Sequence, residues 1–160
     1  MANRSLAIEG DHYWTKQLIA SLTEKPPVSP PAKSGIAKAQ EAWERRMELS
    51  ERGRVAFERK DFPAAASAYR AILELDAGNT GALLNLGGAL YSEGRYSEAS
   101  DAFQRLTSVA PNSAEAWYWL CVSYDAQGDR DRTRQAYNRL RGLDGSRADD
   151  FRQKHGALLW

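Results

Sequence analysis

Three stretches of this chain, 46–79, 80–113 and 114–144, fall into register with one another at a spacing of 34 residues. A period of this length means that one supersecondary unit recurs, and each copy must bury its apolar side against the next. In the second copy the order is Leu83, Leu86-Gly87, Leu90, Gly94, Tyr96, Ala99, Phe103, Leu106 and Pro111. The first copy answers with Leu49, Gly53, Ala56, Phe62, Ala65, Tyr69 and Ile72. The third answers with Trp117, Leu120-Cys121, Tyr124, Gly128, Thr133, Tyr137 and Leu140. Apolar residues recur three and four apart, the period of a helix with one apolar stripe, so each copy reads as two helices whose stripes face each other. Small residues (Gly53 with Ala65, Gly87 with Ala99) stand where the paired helices must approach closely. Gly94 and Gly128 supply positive φ at helix ends, Pro63 suits the first turn of a helix, and Asn112 or Ser113 follows Pro111 as a cap.

The pattern resembles the tetratricopeptide repeat, over roughly 100 of the 160 residues. The resemblance implies an all-α fold of helix-turn-helix units stacked as a right-handed superhelix, an α-solenoid with an open concave side. Ala77 stands where the family has Pro, Cys121 replaces a smaller residue, and Thr133 with Arg130 weakens the second helix of the third copy. Three regions are expected: an arm and tether over 1–35, the repeats over 36–145 with the first helix extended backward or preceded by a short one, and a capping helix and tail over 146–160. Ser146-Arg147-Ala148-Asp149 has the character of a capping box for that last helix. Its alternative is an apolar tail, Leu158 to Trp160, that serves as a ligand.

In the arm, Trp14, Leu18 and Leu22 share one helical face, and Pro26-Pro27 and Pro30-Pro31 make a semi-stiff tether after it. These three residues are expected to dock into the groove of the same chain or of a second chain, giving a homodimer in the latter case; a free arm is the alternative.

Function in such arrays is carried by residues on the first helix of each pair. The resemblance assigns to the concave groove Arg54 and Phe57 from copy one, Leu84, Asn85, Gly88 and Tyr91 from copy two, and Tyr118, Trp119 and Val122 from copy three. Aromatic anchors in a groove suit a hydrophobic peptide or helix, since they bury a large area at low conformational cost. Tyr118 and Trp119 have an alternative role, packed beneath a neighbouring helix. Family members that hold the C-terminal carboxylate of a heat-shock protein use a clamp of Lys, Asn and Arg. Here the five clamp positions carry Ser50, Arg54, Asn85, Glu115 and Trp119, and Glu115 would repel the carboxylate, so no such ligand is expected.

No catalytic constellation is present: His12 and His155 lie at opposite ends, Cys121 sits at a helix-packing position, and no phosphate loop or zinc motif occurs. Neither a metal nor a cofactor is implied. Formal net charge is +1, which argues against a nucleic-acid partner held by a bulk positive field. The arginines from Arg130 to Arg141 read as a solvated helix face, partly offset by Asp129, Asp131 and Asp144. No run approaches the length of a membrane span and the N-terminus does not read as a secretory signal, so a cytoplasmic protein is expected. The expected function is a non-enzymatic interaction module, an adaptor or chaperone-like subunit. The alternatives are a protein like the class II chaperones of bacterial type III secretion, or a subunit that self-assembles through its arm.

Overall fold

The computed structural model describes residues 35–156, and the described residues form seven helices and no strand. These are α1 (Gly35–Glu58), α2 (Phe62–Leu75), α3 (Thr80–Ser92), α4 (Tyr96–Val109), α5 (Ala114–Ala126), α6 (Arg130–Leu143) and α7 (Gly145–His155). The chain divides into two units, 1–40 and 41–160. Of the first, only the opening of α1 is described, with Ile36 exposed on it. The expected arm residues Trp14, Leu18 and Leu22, and the tail residues Leu158 to Trp160, lie outside the described residues.

The stop and start signals in the sequence account for the helix ends of the second unit. Asp61, Asn79, Ser113, Asp129 and Asp144 each accept a hydrogen bond from the backbone N–H three residues on, capping α2, α3, α5, α6 and α7. The last of these corrects the capping box at Ser146: the cap stands two residues earlier, because Asp144, the C-cap of α6, is at once the N-cap of α7. α4 has no side-chain cap, and Glu98 in its first turn complements the helix dipole. α6 is a regular helix of 14 residues, as long as α2 and α4, although Arg130 and Thr133 were expected to weaken it. Buried Thr133 donates to the Asp129 carbonyl at 2.7 Å, so its hydroxyl is satisfied within the helix.

Each helix packs on its successor from α2 to α7, and α7 packs on α5 as well as on α6. The core runs along the stack, with Leu83, Leu90, Phe103, Leu140 and Phe151 fully enclosed. The expected close approaches are present. A Cβ on Gly53 would lie 2.8 Å from the Tyr69 ring, and one on Gly87 would lie 2.5 Å from the Phe103 ring. The three turns within pairs repeat one backbone conformation at the 34-residue spacing, with φ of 62° at Lys60, 78° at Gly94 and 71° at Gly128. Only the first lacks the glycine that this left-handed geometry favours. Arg46 donates to Asp76 at 2.9 Å and ties α1 to the end of α2.

Candidate functional site: the groove over α1, α3 and α5

The first helices of the pairs contribute one side each to a cleft of about 450 Å³. α1 presents Ser50, Arg54, Phe57 and Glu58; α3 presents Leu84, Asn85 and Gly88; α5 presents Glu115 and Trp119. Its floor is formed by Tyr69 and Phe103, both buried rings of the second helices. They reach the cleft because Gly53 and Gly87 remove the side chains that would stand in front of them. A smaller recess of about 300 Å³ continues it toward the start of the array, sharing Ser50, Tyr69 and Asn85 and ending at Trp43 and Met47. Trp43 and Met47 are 55% and 53% exposed, so the groove carries uncovered apolar surface along its length.

Phe57 meets the Phe62 ring edge-on at 5.3 Å and is itself 38% exposed. Arg54 is engaged by its own helix: it donates to Glu51 at 2.6 Å and to Glu58. Those bonds raise the Arg54 pKa further above its ordinary value and lower that of Glu51. Asn85 and Gly88 lie one turn apart on α3, with open space over Gly88.

Six of the nine residues assigned to the groove from sequence thus share this cleft: Arg54, Phe57, Leu84, Asn85, Gly88 and Trp119. Tyr91 is half-buried beside it, 5.0 Å from Tyr96 and 6.4 Å from Trp119; burial raises its phenol pKa, with smaller contributions from Tyr96 and Asp125. Trp119 stacks on Phe103 at 6.2 Å, so it is both a wall of the cleft and part of the packing beneath it.

Tyr118 and Val122 need correction. Tyr118 packs edge-on against Phe151 at 6.1 Å and faces a separate recess lined by Asp144, Ser146, Arg147 and Asp150. Val122 is 5% exposed, part of the core. One cause explains both. Tyr118, Val122 and Asp125 lie on one stripe of α5, and α7 runs along it, with Phe151 on Tyr118 and His155 bonded to Asp125 at 2.7 Å. The capping helix therefore covers this stripe of α5, while Glu115 and Trp119 on the same helix remain in the groove. Ser50, Glu58 and Glu115, which stand at repeat positions facing the groove, line the same cleft.

Cys121 is fully buried, and burial pushes its thiol up to about 12, which makes it inert at neutral pH. The described residues contain no cluster of side chains that would hold a metal ion, and no helix among them is long and apolar enough to cross a membrane.

A family model for the tetratricopeptide repeat matches residues 56–117 and again 90–154. The chain belongs to the tetratricopeptide repeat family. Its members are generally non-enzymatic scaffolds for protein partners, and the right-handed solenoid of helix pairs expected from the sequence is the family's fold. Comparison with curated proteins finds no match. Among solved structures, the first tetratricopeptide domain of Spaghetti (RPAP3), bound to the HSP90 peptide SRMEEVD, is 16% identical at TM-score 0.66, over 72% of this chain and 94% of that one. The MamA protein is 25% identical at TM-score 0.67, over 72% of this chain and 62% of that one. PcrH, in complex with the chaperone-binding region of PopD, is 19% identical at TM-score 0.60, over 71% of this chain and 86% of that one.

Proposed function

We propose that this tetratricopeptide repeat protein is a non-enzymatic adaptor or chaperone-like subunit that holds a hydrophobic protein segment in the groove over α1, α3 and α5. The carrying observation is the convergence of Phe57, Leu84 and Trp119 around one open cleft above the Tyr69 and Phe103 rings. Such a cleft rewards an apolar anchor, because burial removes both surfaces from water. A terminal carboxylate fits it poorly: Glu115 occupies a clamp position, and the Arg54 guanidinium is already engaged by Glu51 and Glu58.

Selecting peptides from a displayed random library against the protein, then measuring them on variants, tests this. Trp119→Glu is unsuitable, since Trp119 is stacked on the core ring of Phe103. Phe57→Ser and Leu84→Glu change side chains that are at least partly exposed. The expected result is a consensus rich in aromatic and aliphatic residues whose affinity falls about tenfold or more on either variant. Selected peptides that bind both variants as tightly as the native protein would refute the reading.

A second reading places the chain with the class II chaperones of type III secretion, and the likeness to PcrH supports it at the level of fold. Binding of a translocator's chaperone-binding region that is lost on Leu84→Glu would favour it. Self-assembly through the arm is tested by sedimentation with and without residues 1–34.

A further inference from the structure

Among the described residues a second recess is larger than the groove. A cleft of about 730 Å³ opens between α4 and α6, and its floor is a different face of α5, carrying Trp117, Leu120 and Tyr124. Arg105 and Asp101 stand on the α4 wall, Arg132 and Arg139 on the α6 wall.

The repeat supplies an internal comparison. Between α2 and α4, one repeat earlier, Arg70 donates to Glu98 across the walls at 3.2 Å. The floor there carries the buried Leu83 and Leu90. Thirty-four residues on, the same positions hold Gln104 for Arg70, Arg132 for Glu98, Trp117 for Leu83 and Tyr124 for Leu90. The crossing pair is thereby replaced by an amide facing a guanidinium, and no ion pair among the described residues joins α4 to α6. Charge on one wall has inverted, and the floor has become aromatic.

The guanidinium groups are differently engaged. Arg132 is held by Asp129 at 2.6 Å and lies over the Tyr124 ring at 4.8 Å. Arg105 reaches only the Ala77 carbonyl, at 3.4 Å, and Arg139 makes no ion pair among the described residues. Arg105 and Arg139 occupy the same repeat position on successive second helices, and both line the cleft, the first on the α4 wall and the second on the α6 wall. Arg132 and Arg139 are seven residues apart on one helix, about 10 Å along its axis. Asp101 is the one carboxylate lining the cleft.

We propose that this cleft binds an acidic protein segment with an apolar anchor. The anchor enters between Trp117 and Tyr124, and flanking carboxylates accept from Arg139 and Arg105 in the forked geometry that guanidinium groups provide. A nucleic-acid strand fits less well. Its affinity comes from neutralising many phosphates, whereas Asp101 and Asp129 border this site and the whole chain carries a formal net charge of only +1.

The test is fluorescence anisotropy with a short labelled probe, an alanine-based helical peptide bearing glutamates around a central leucine. A lysine-substituted counterpart and a single-stranded RNA oligomer are run beside it. Saturable binding of the glutamate probe is expected to weaken with added salt and to fall about tenfold or more for Arg105→Glu/Arg139→Glu. Leu84→Glu in the groove is expected to leave it unchanged, which separates this site from the proposed peptide groove. Both arginines are exposed, and Arg105→Gln/Arg139→Gln, checked by circular dichroism, guards against a folding artefact by giving an intermediate loss. The proposal is overturned by equal binding of the lysine peptide, by tighter binding of the RNA with the same arginine dependence, by indifference to the arginine pair, or by no saturation up to about millimolar probe.

Discussion

Gly87 and Gly88 are neighbours on α3, and replacing each by alanine is expected to move stability in opposite directions. At Gly87 the added Cβ would lie 2.5 Å from two carbons of the Phe103 ring and 2.9 Å from a third. Carbon atoms in favourable contact stand about 3.5–4.0 Å apart, so the ring must withdraw by roughly 1 Å. Phe103 is fully enclosed and stacked on Trp119, which leaves it nowhere cheap to go. Overpacking of this severity costs about 3 kcal/mol, against which alanine returns about 1 kcal/mol of helix propensity. Gly87→Ala should therefore lose about 2 kcal/mol. At Gly88 no atom lies within 4 Å of the added Cβ, so only the propensity gain of about 0.5–1 kcal/mol remains. Urea unfolding followed by circular dichroism should show midpoints displaced to either side of the native protein's, separated by about 1–2 M. Phe103→Leu in the Gly87→Ala background should restore part of the loss, and a double-mutant cycle measures that coupling. A Gly87→Ala protein as stable as Gly88→Ala would refute the packing explanation, and a cycle with no coupling would show that Phe103 is not what the new methyl meets.

Three further outcomes follow from the same kind of reasoning. Lys60→Gly should stabilise the protein by about 0.5–1 kcal/mol, because Lys60 holds the left-handed conformation that Gly94 and Gly128 hold in the later copies, whereas Gly94→Ala or Gly128→Ala should cost about 1 kcal/mol in the same urea titration. The Cys121 thiol has its pKa raised from 9.0 to about 12 in the folded chain, so its contribution is fully present below pH 9 and is lost as pH rises toward 12, at about 1.4 kcal/mol per unit; Cys121→Ala should flatten that slope in urea midpoints taken from pH 8 upward, and an unchanged slope would refute it. Asp144→Ala removes the cap that α7 receives at the Arg147 N–H, costing about 1 kcal/mol, and amide exchange should accelerate first in α7; a uniform acceleration along the chain would contradict that local role.

Helices and turns were legible because each depends on short-range chemistry repeated at a fixed spacing, as with the cap at Ser113 and positive φ at Gly94 and Gly128. The left-handed turn at Lys60 was not visible in composition, and it shows only when position 60 is set beside positions 94 and 128. The groove was legible in the first two copies for every assigned residue but Tyr91, because a residue's place in the repeat decides which face it takes. It failed at Tyr118 and Val122 for a reason outside the repeat. The apolar residue Phe151 marked a helix that must dock, but nothing local to it stated that the helix would lie along α5 as well as α6. Burial there was decided by a partner about 30 residues away.

α5 shows why periodicity alone underdetermines a site. Its side chains divide among three environments: Glu115 and Trp119 border the groove, Trp117, Leu120 and Tyr124 floor the cleft between α4 and α6, and the stripe from Tyr118 to Asp125 lies under α7. Trp117, Tyr118 and Trp119 are consecutive, yet each serves a different surface, because successive residues on a helix turn about 100°. An aromatic run in such a helix is therefore no single patch. Substituting any one of the three should disturb one surface and spare the other two only so far as its ring is not shared. Trp119, stacked on Phe103 and touching both Tyr91 and Tyr118, is the ring least able to satisfy that condition.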